Sequence, residues 1–188
     1  DIENARHHLD VQKTLLSAPD VSADFYDYFY IGSKVVFCIG DVPGSNVKAA
    51  LMMSIIRSIF RTSANANSIN GEAPSPAAVI RSMNNSLCSV NHSEMFATLF
   101  VGVLDLNSAV LTYSNAGNPA PVIVSPSTGA KLIDTDPNIP VGIMENYEYT
   151  EQHITLIEDF TLFVYNDGLY ETENTNHEPY GQKRMLTR

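Results

Sequence analysis

FATLFVGVLDLNSAVLTYSNAG, residues 96–117, sets two apolar runs on either side of Asn107 and Ser108. Both runs are rich in β-branched and aromatic residues and the polar pair between them is a turn signal, so the stretch reads as a β-hairpin. Its first strand, FATLFVGVLDL, is apolar at consecutive positions rather than alternate ones, the pattern of a strand buried on both faces. Such a strand needs a layer of protein on each side. Upstream, KAALMMSIIRSIFR within residues 47–61 carries few charges and predicts a largely buried helix, with Met52 and Met53 as core filling. Residues 63–75, rich in Ala, Asn, Ser, Gly and Pro, predict a loop, and residues 76–91 a second helix with proline in its first turn. Downstream, strands are expected at 120–124, 130–133, 147–156 and 160–165. Helices inserted first and a run of strands afterwards suit an α+β sandwich rather than a doubly wound parallel sheet.

The chain has 188 residues, 44% of them hydrophobic, enough for one domain with a substantial core. Its formal net charge of -10 argues against nucleic acid or an anionic membrane surface as a partner, since either calls for a basic patch. Cys38 and Cys88 lack CxxC spacing and read as buried, reduced thiols of a cytoplasmic protein. No apolar run reaches membrane-spanning length, so no direct membrane contact is expected from this segment. Ile2, Ala5, Leu9, Val11, Gln12, Leu15 and Leu16 recur at roughly helical spacing, so residues 2–17 predict an amphipathic helix, either a partner-facing linker or a helix packed on its own domain.

Two segments end an apolar run with an acid and then a glycine. VVFCIGDVPG carries Asp41, and TLFVYNDGLY carries Asp167. Val35 to Ile39 and Thr161 to Tyr165 read as buried strands, each acid sitting where its strand stops. A buried carboxylate requires hydrogen bonds, an ion pair or a metal, and neither segment offers a basic neighbour. Asp24 and Asp27, in SADFYDYFYI, precede the first of these strands. If the strands are neighbours, three carboxylate positions converge, as magnesium and manganese prefer, since these ions take oxygen ligands and keep several waters. The five histidines form no metal constellation: His7 and His8 are adjacent on the predicted helix, and His92, His153 and His177 stand alone. Arg57 and Arg61 lie one helical turn apart and read as surface pairing rather than as phosphate ligands.

ADFYDYF, FCIGDVPGSNVKAALMMSIIRSIFR, MFATLFVGVLDLNSAVLTYSNAGNPAPVIV, NIPVGI and LFVYNDGLYETENTNHEPYGQKRM together resemble, in the right order over residues 24–188, bacterial serine/threonine phosphatases of the stage II sporulation protein E type, in the metal-dependent protein phosphatase 2C superfamily. The resemblance implies a four-layer α-β-β-α sandwich of two antiparallel sheets with a pair of magnesium or manganese ions at one edge. It assigns Asp24, Asp41 and Asp167 as catalytic metal ligands, adds the backbone carbonyl of Val42, and makes residues 1–18 a linker and dimerisation helix ahead of a phosphatase domain at 19–188. It further implies two-metal activation of water against phosphoserine or phosphothreonine, on a substrate of the anti-sigma-factor antagonist type. The location implied is the cytoplasm, with the chain standing alone or as the cytoplasmic part of a larger membrane-attached sensor. Asp27 would add an outer hydrogen bond at that site or be a solvated strand position.

Several positions depart from that pattern. Ser22 and Ala23 stand for paired glycines, Pro43 for the serine of the glycine-rich turn, and Ser45 and Asn46 for its last two residues. Pro43 removes a donor and restricts Val42, while Asn46 is expected to tolerate a left-handed backbone in place of glycine. Asn118 stands for a histidine and Asn166 for the threonine before Asp167. The family's final strand, which brings a further Asp-Asp motif, falls beyond Arg188, so the sandwich is expected to be incomplete at its C-terminal end. The rival expectation is a catalytically degenerate phosphatase-like module that signals by binding a partner.

Overall fold

The computed structural model describes residues 9–15, 23–44, 46–90, 95–156 and 159–187. Two strands open the domain, β1 (Asp24–Ile31) and β2 (Lys34–Asp41), turning at Gly32 and Ser33. Two helices follow, α1 (Val47–Asn67) and α2 (Pro76–Val90), and then the hairpin β3 (Thr98–Asp105) and β4 (Val110–Ala116). The Asp105 carboxylate closes that hairpin by accepting from the Asn107 and Ser108 N–H groups. Short strands complete the fold: β5 (Val122–Ser125), β6 (Gly129–Leu132), β7 (Gln152–Thr155) and β8 (Thr161–Phe163), with one-turn α3 (Gly168–Glu171) and α4 (Gln182–Thr187) after them. One antiparallel sheet runs β1-β2-β3-β4-β7, and a second runs β6-β5-β8.

Side-chain parity along β2 and β3 divides the interior in two. Val36, Cys38, Leu99, Val101 and Val103 face the helices and pack with Ile56, Phe60, Ile80, Met83 and Leu87. Their sequence neighbours Val35, Phe100 and Leu104 face the second sheet, with Phe37, Ile39, Ile123 and Leu162 beside them. The consecutive apolar residues of β3 thus serve two cores, as successive side chains in a strand point to opposite faces. The layers run helices, five-stranded sheet, three-stranded sheet, with the short α4 meeting the edge strand β6. This is the α+β sandwich with two antiparallel sheets expected from the sequence.

Four expectations about the backbone are corrected. Helix α1 runs to Asn67 rather than Arg61, because Ser63 and Ala64 are buried against the core and Asn67 and Ser68 bond back to carbonyls four residues earlier. The strand expected at 147–156 is only Gln152–Thr155: Tyr149 turns into the helix-side core and meets Tyr147 edge-on, so the preceding segment follows its aromatic anchors instead of a ladder. Residues 9–15, within the predicted helix 2–17, form no helix. A short helix is marginal in water, and here Leu9 packs against the inter-sheet core while Lys13 lies over the Tyr26 and Tyr28 rings. The rest of that predicted linker helix, with His7, His8 and His92, lies outside the described residues. The fourth correction, at Asn46, concerns the turn below. Cys38 and Cys88 are free thiols; Cys38 is buried as expected, whereas Cys88, expected to be buried too, is part exposed. No described helix is long and apolar enough to cross a membrane.

Candidate metal centre

β1 and β2 pair so that Asp24, the first residue of one, stands directly opposite Asp41, the last of the other. Opposed residues share a face. Asp41 has the parity of Val35, Phe37 and Ile39, so both carboxylates lie on the face turned toward the second sheet, where Asp167 follows β8 after three residues. The electrostatics record this convergence. The Asp41 carboxyl is pushed up to about 6, first by burial, then by the negative charges of Asp24 and Asp167. A hydrogen bond between the Asp24 and Asp41 side chains also favours the protonated form, while the Val42 N–H donates to Asp41 and opposes the rise. Two carboxylates that close need a proton or a cation between them.

The turn that carries Asp41 is built by close packing. A Cβ at Gly40 would meet the Phe25 ring and the Thr98 carbonyl, both at 2.7 Å, so only glycine lets β2 end against β1 and β3 there. Val42 is buried in the helix-side core, and Gly44 takes the positive φ of 116° that turns the chain into α1. Asn46 does not: its backbone is extended, and its Oδ1 caps α1 by accepting from the Ala49 N–H at 3.0 Å. The turn therefore forms with Pro43 in place.

Asp27 does not join the centre. Three residues from Asp24, it has the opposite parity and points to the helix side, 6% exposed, where Arg61 Nε and Nη2 donate to its two oxygens at 2.6 Å each. Neither a solvated strand position nor an outer partner of the site describes it. This bidentate pair also accounts for Arg61, which lies over the Phe29 ring. His177 pairs with Glu173 at the surface. Among the described residues, no three His, Cys, Asp or Glu side chains close into a ready-made cage. What the fold assembles is a carboxylate pair with a third acid acting on it through space. Hard oxygen donors in that number suit a divalent ion that retains waters, and the negative charge of Asp24 and Asp167 acting on Asp41 is what a cation would offset. Asp24, Asp41, Asp167 and the Val42 carbonyl are the groups that would hold it.

Two asparagines that sequence reasoning recorded only as departures have defined places. Asn166 Nδ2 donates to Asp24 Oδ1 at 2.6 Å and to the Gly40 carbonyl at 3.3 Å. Asn118 Nδ2 donates to the Tyr165 carbonyl at 3.1 Å.

A helix layer, two facing antiparallel sheets and an acidic pair at their common edge define a domain of the protein phosphatase 2C fold. The chain belongs to the stage II sporulation protein E (SpoIIE) family, whose sequence profile matches residues 32–188. It is 31% identical over 193 residues to protein IcfG of Synechocystis, covering 90% of this chain and 30% of that protein. It is 23% identical over 168 residues to the phosphoserine phosphatase RsbU of Bacillus subtilis, covering 89% of this chain and 48% of RsbU. The fold matches the SiaA-PP2C domain of Pseudomonas aeruginosa with a TM-score of 0.75 at 17% identity, over 89% of this chain and 65% of that one. The chain thus spans less than half the length of these two curated relatives.

Proposed function

We propose that this domain is a metal-dependent protein serine/threonine phosphatase that hydrolyses phosphoserine or phosphothreonine on a signalling regulator of the anti-sigma-factor antagonist type. The observation that carries the reading is the opposition of Asp24 and Asp41 on one sheet face with Asp167 acting on the pair. Family membership and the likeness to a named phosphoserine phosphatase support it. Two bound magnesium or manganese ions would supply an activated water and neutralise the phosphoryl oxygens during in-line displacement.

The chain's own residues do the placing. Asp41 feels the charges of both Asp24 and Asp167 and is the acid that two ions would share. Val42 N–H holds the Asp41 carboxylate from the turn side, and Gly40 lets the end of β2 sit deep enough for Asp24 to face it. Neither cysteine suits a nucleophile at this site: burial raises the Cys38 thiol, which lies on the opposite face of the sheet, and raises the Cys88 thiol on α2 as well.

The test is calorimetric titration of manganese into the complete protein and its Asp41→Ala variant, with aryl phosphate hydrolysis followed in parallel. Binding and turnover in the wild type, both lost in the variant, are expected. Absence of both in the wild type would leave the rival reading, a partner-binding module that kept the fold without the chemistry.

A further inference from the structure

The segment that delivers Asp167 to the edge of the sandwich is held from two directions, and in both cases by an asparagine. From the β4–β5 connection, Asn118, 5% exposed, donates its Nδ2 to the Tyr165 and Pro119 carbonyls at 3.1 Å. Asn118 is itself fixed by Asn115, whose Oδ1 accepts from its N–H at 2.9 Å and whose Nδ2 donates to its carbonyl at 2.8 Å. One residue on, Asn166 crosses from the second sheet to the first and reaches Asp24 on β1 and the Gly40 carbonyl on β2.

The orientation of the Asn166 amide is fixed by its partners. A carboxylate oxygen and a carbonyl both only accept, so the NH2 group must face them and the amide oxygen must face away. That oxygen is buried and, among the described residues, has no hydrogen-bond partner, and the same is true of Asn118 Oδ1. Buried acceptors without partners are rare. Two of them on the asparagines that flank Tyr165 mark a place whose polar groups are not all satisfied by the chain itself.

We propose that Asn166 is a positioning residue of the metal centre, holding the Asp24 carboxylate against the end of β2 while Asn118 fixes the backbone that presents Asp167. The inference rests on the phosphatase reading above and deepens it. A threonine at this position has a single O–H and cannot donate to Asp24 and the Gly40 carbonyl together, whereas the two N–H bonds of one amide do both. Asparagine therefore ties three chain segments with one side chain: the start of β1, the end of β2 and the exit of β8.

The experiment compares Asn166→Thr with Asn166→Val in the complete protein. The two side chains are nearly isosteric and differ in whether a hydrogen-bond donor remains on the side of Asp24, so a purely packing role treats them alike. Manganese affinity by calorimetry is the primary readout, with metal-free melting temperature and the separate kcat and KM for an aryl phosphate. Outer partners of metal ligands are typically worth ~10–100-fold in affinity. The expected result is a manganese dissociation constant raised about tenfold in the valine variant and about threefold or less in the threonine variant. KM for the aryl phosphate should stay unchanged in both. Asn118→Ala should weaken manganese by a smaller factor, because it acts only through the backbone. Equal affinities for the threonine and valine variants, or a valine variant within twofold of wild type while Asp41→Ala abolishes binding, would overturn the proposal and leave the phosphatase reading standing. A wild type that binds no manganese would overturn both.

Discussion

Asp41→Asn should make the metal-free domain more stable at neutral pH while removing its response to manganese. Folding lifts the Asp41 carboxyl from 3.8 to about 6, through burial first and the charges of Asp24 and Asp167 next. A group whose folded pKa is raised favours the fold most below its unfolded pKa. That advantage disappears as pH rises through about 6. Above that point the wild type carries an ionised, crowded carboxylate that asparagine does not. A rise of about two pH units corresponds to ~3 kcal/mol, and solvent screening at this half-buried position roughly halves it, to ~1.5 kcal/mol. For a domain of this size that is about 3–6 °C in melting temperature. The assay is thermal unfolding of both proteins with a chelator, from about pH 4 to pH 8. The variant should melt higher at pH 8, and the gap should close toward pH 4. Manganese at about a hundred times its dissociation constant should then stabilise the wild type by ~2.7 kcal/mol and the variant by much less, inverting the order. A variant no more stable than wild type at pH 8 in chelator, or a gap independent of pH, would refute the argument that the acidic pair is strained without a cation.

Arg61→Ala should destabilise the fold by ~2 kcal/mol in denaturant unfolding, because the buried Asp27 carboxylate then loses both guanidinium bonds and is left with the Tyr28 N–H, and the added substitution Asp27→Leu should recover part of the loss. Asn46→Ala removes the α1 cap and should lower stability by ~1 kcal/mol, about 2–4 °C in melting temperature. Gly40→Ala forces a methyl into the Phe25 ring and the Thr98 carbonyl, so it should cost ~1–3 kcal/mol and weaken manganese binding in the same preparation by displacing Asp41. Retention of wild-type manganese affinity in a folded Gly40→Ala protein would sink that link between close packing and the site.

The candidate centre was legible where strand ends and acids coincide. Asp24, Asp41 and Asp167 each terminate or start an apolar run, and the antiparallel pairing of β1 with β2 then brings two of them opposite one another. Asp27 was misread although the signal was present: a spacing of three along a strand places it on the opposite face from Asp24, and a basic residue on the covering helix was already visible at Arg61. The extent of α1 and the shortness of β7 depend on which small or aromatic side chains find core positions, as Ala64 and Tyr149 do, and composition alone does not tell this. The same holds for residues 9–15, whose helical spacing competes with an apolar surface supplied by distant strands. Asn118 and Asn166 were noticed only for what they replaced. Their bonds run to Tyr165, Asp24 and Gly40, partners set by tertiary approach.

The division of β2 between two cores makes the number of residues in that strand more constrained than their identity. Val35, Phe37 and Ile39 could be exchanged for other apolar residues of similar bulk with modest loss. Deleting one residue between Lys34 and Gly40 would instead exchange the sets facing each layer, sending Val36 and Cys38 toward the second sheet and their neighbours toward the helices. The same slip would turn residues on one side of the deletion through the sheet relative to Asp41, so that strand could keep its packing or its acid in place but not both. Drift in this family should therefore leave β2 variable in letters and invariant in count, with insertions and deletions confined to segments such as residues 68–75 that serve neither core through a ladder.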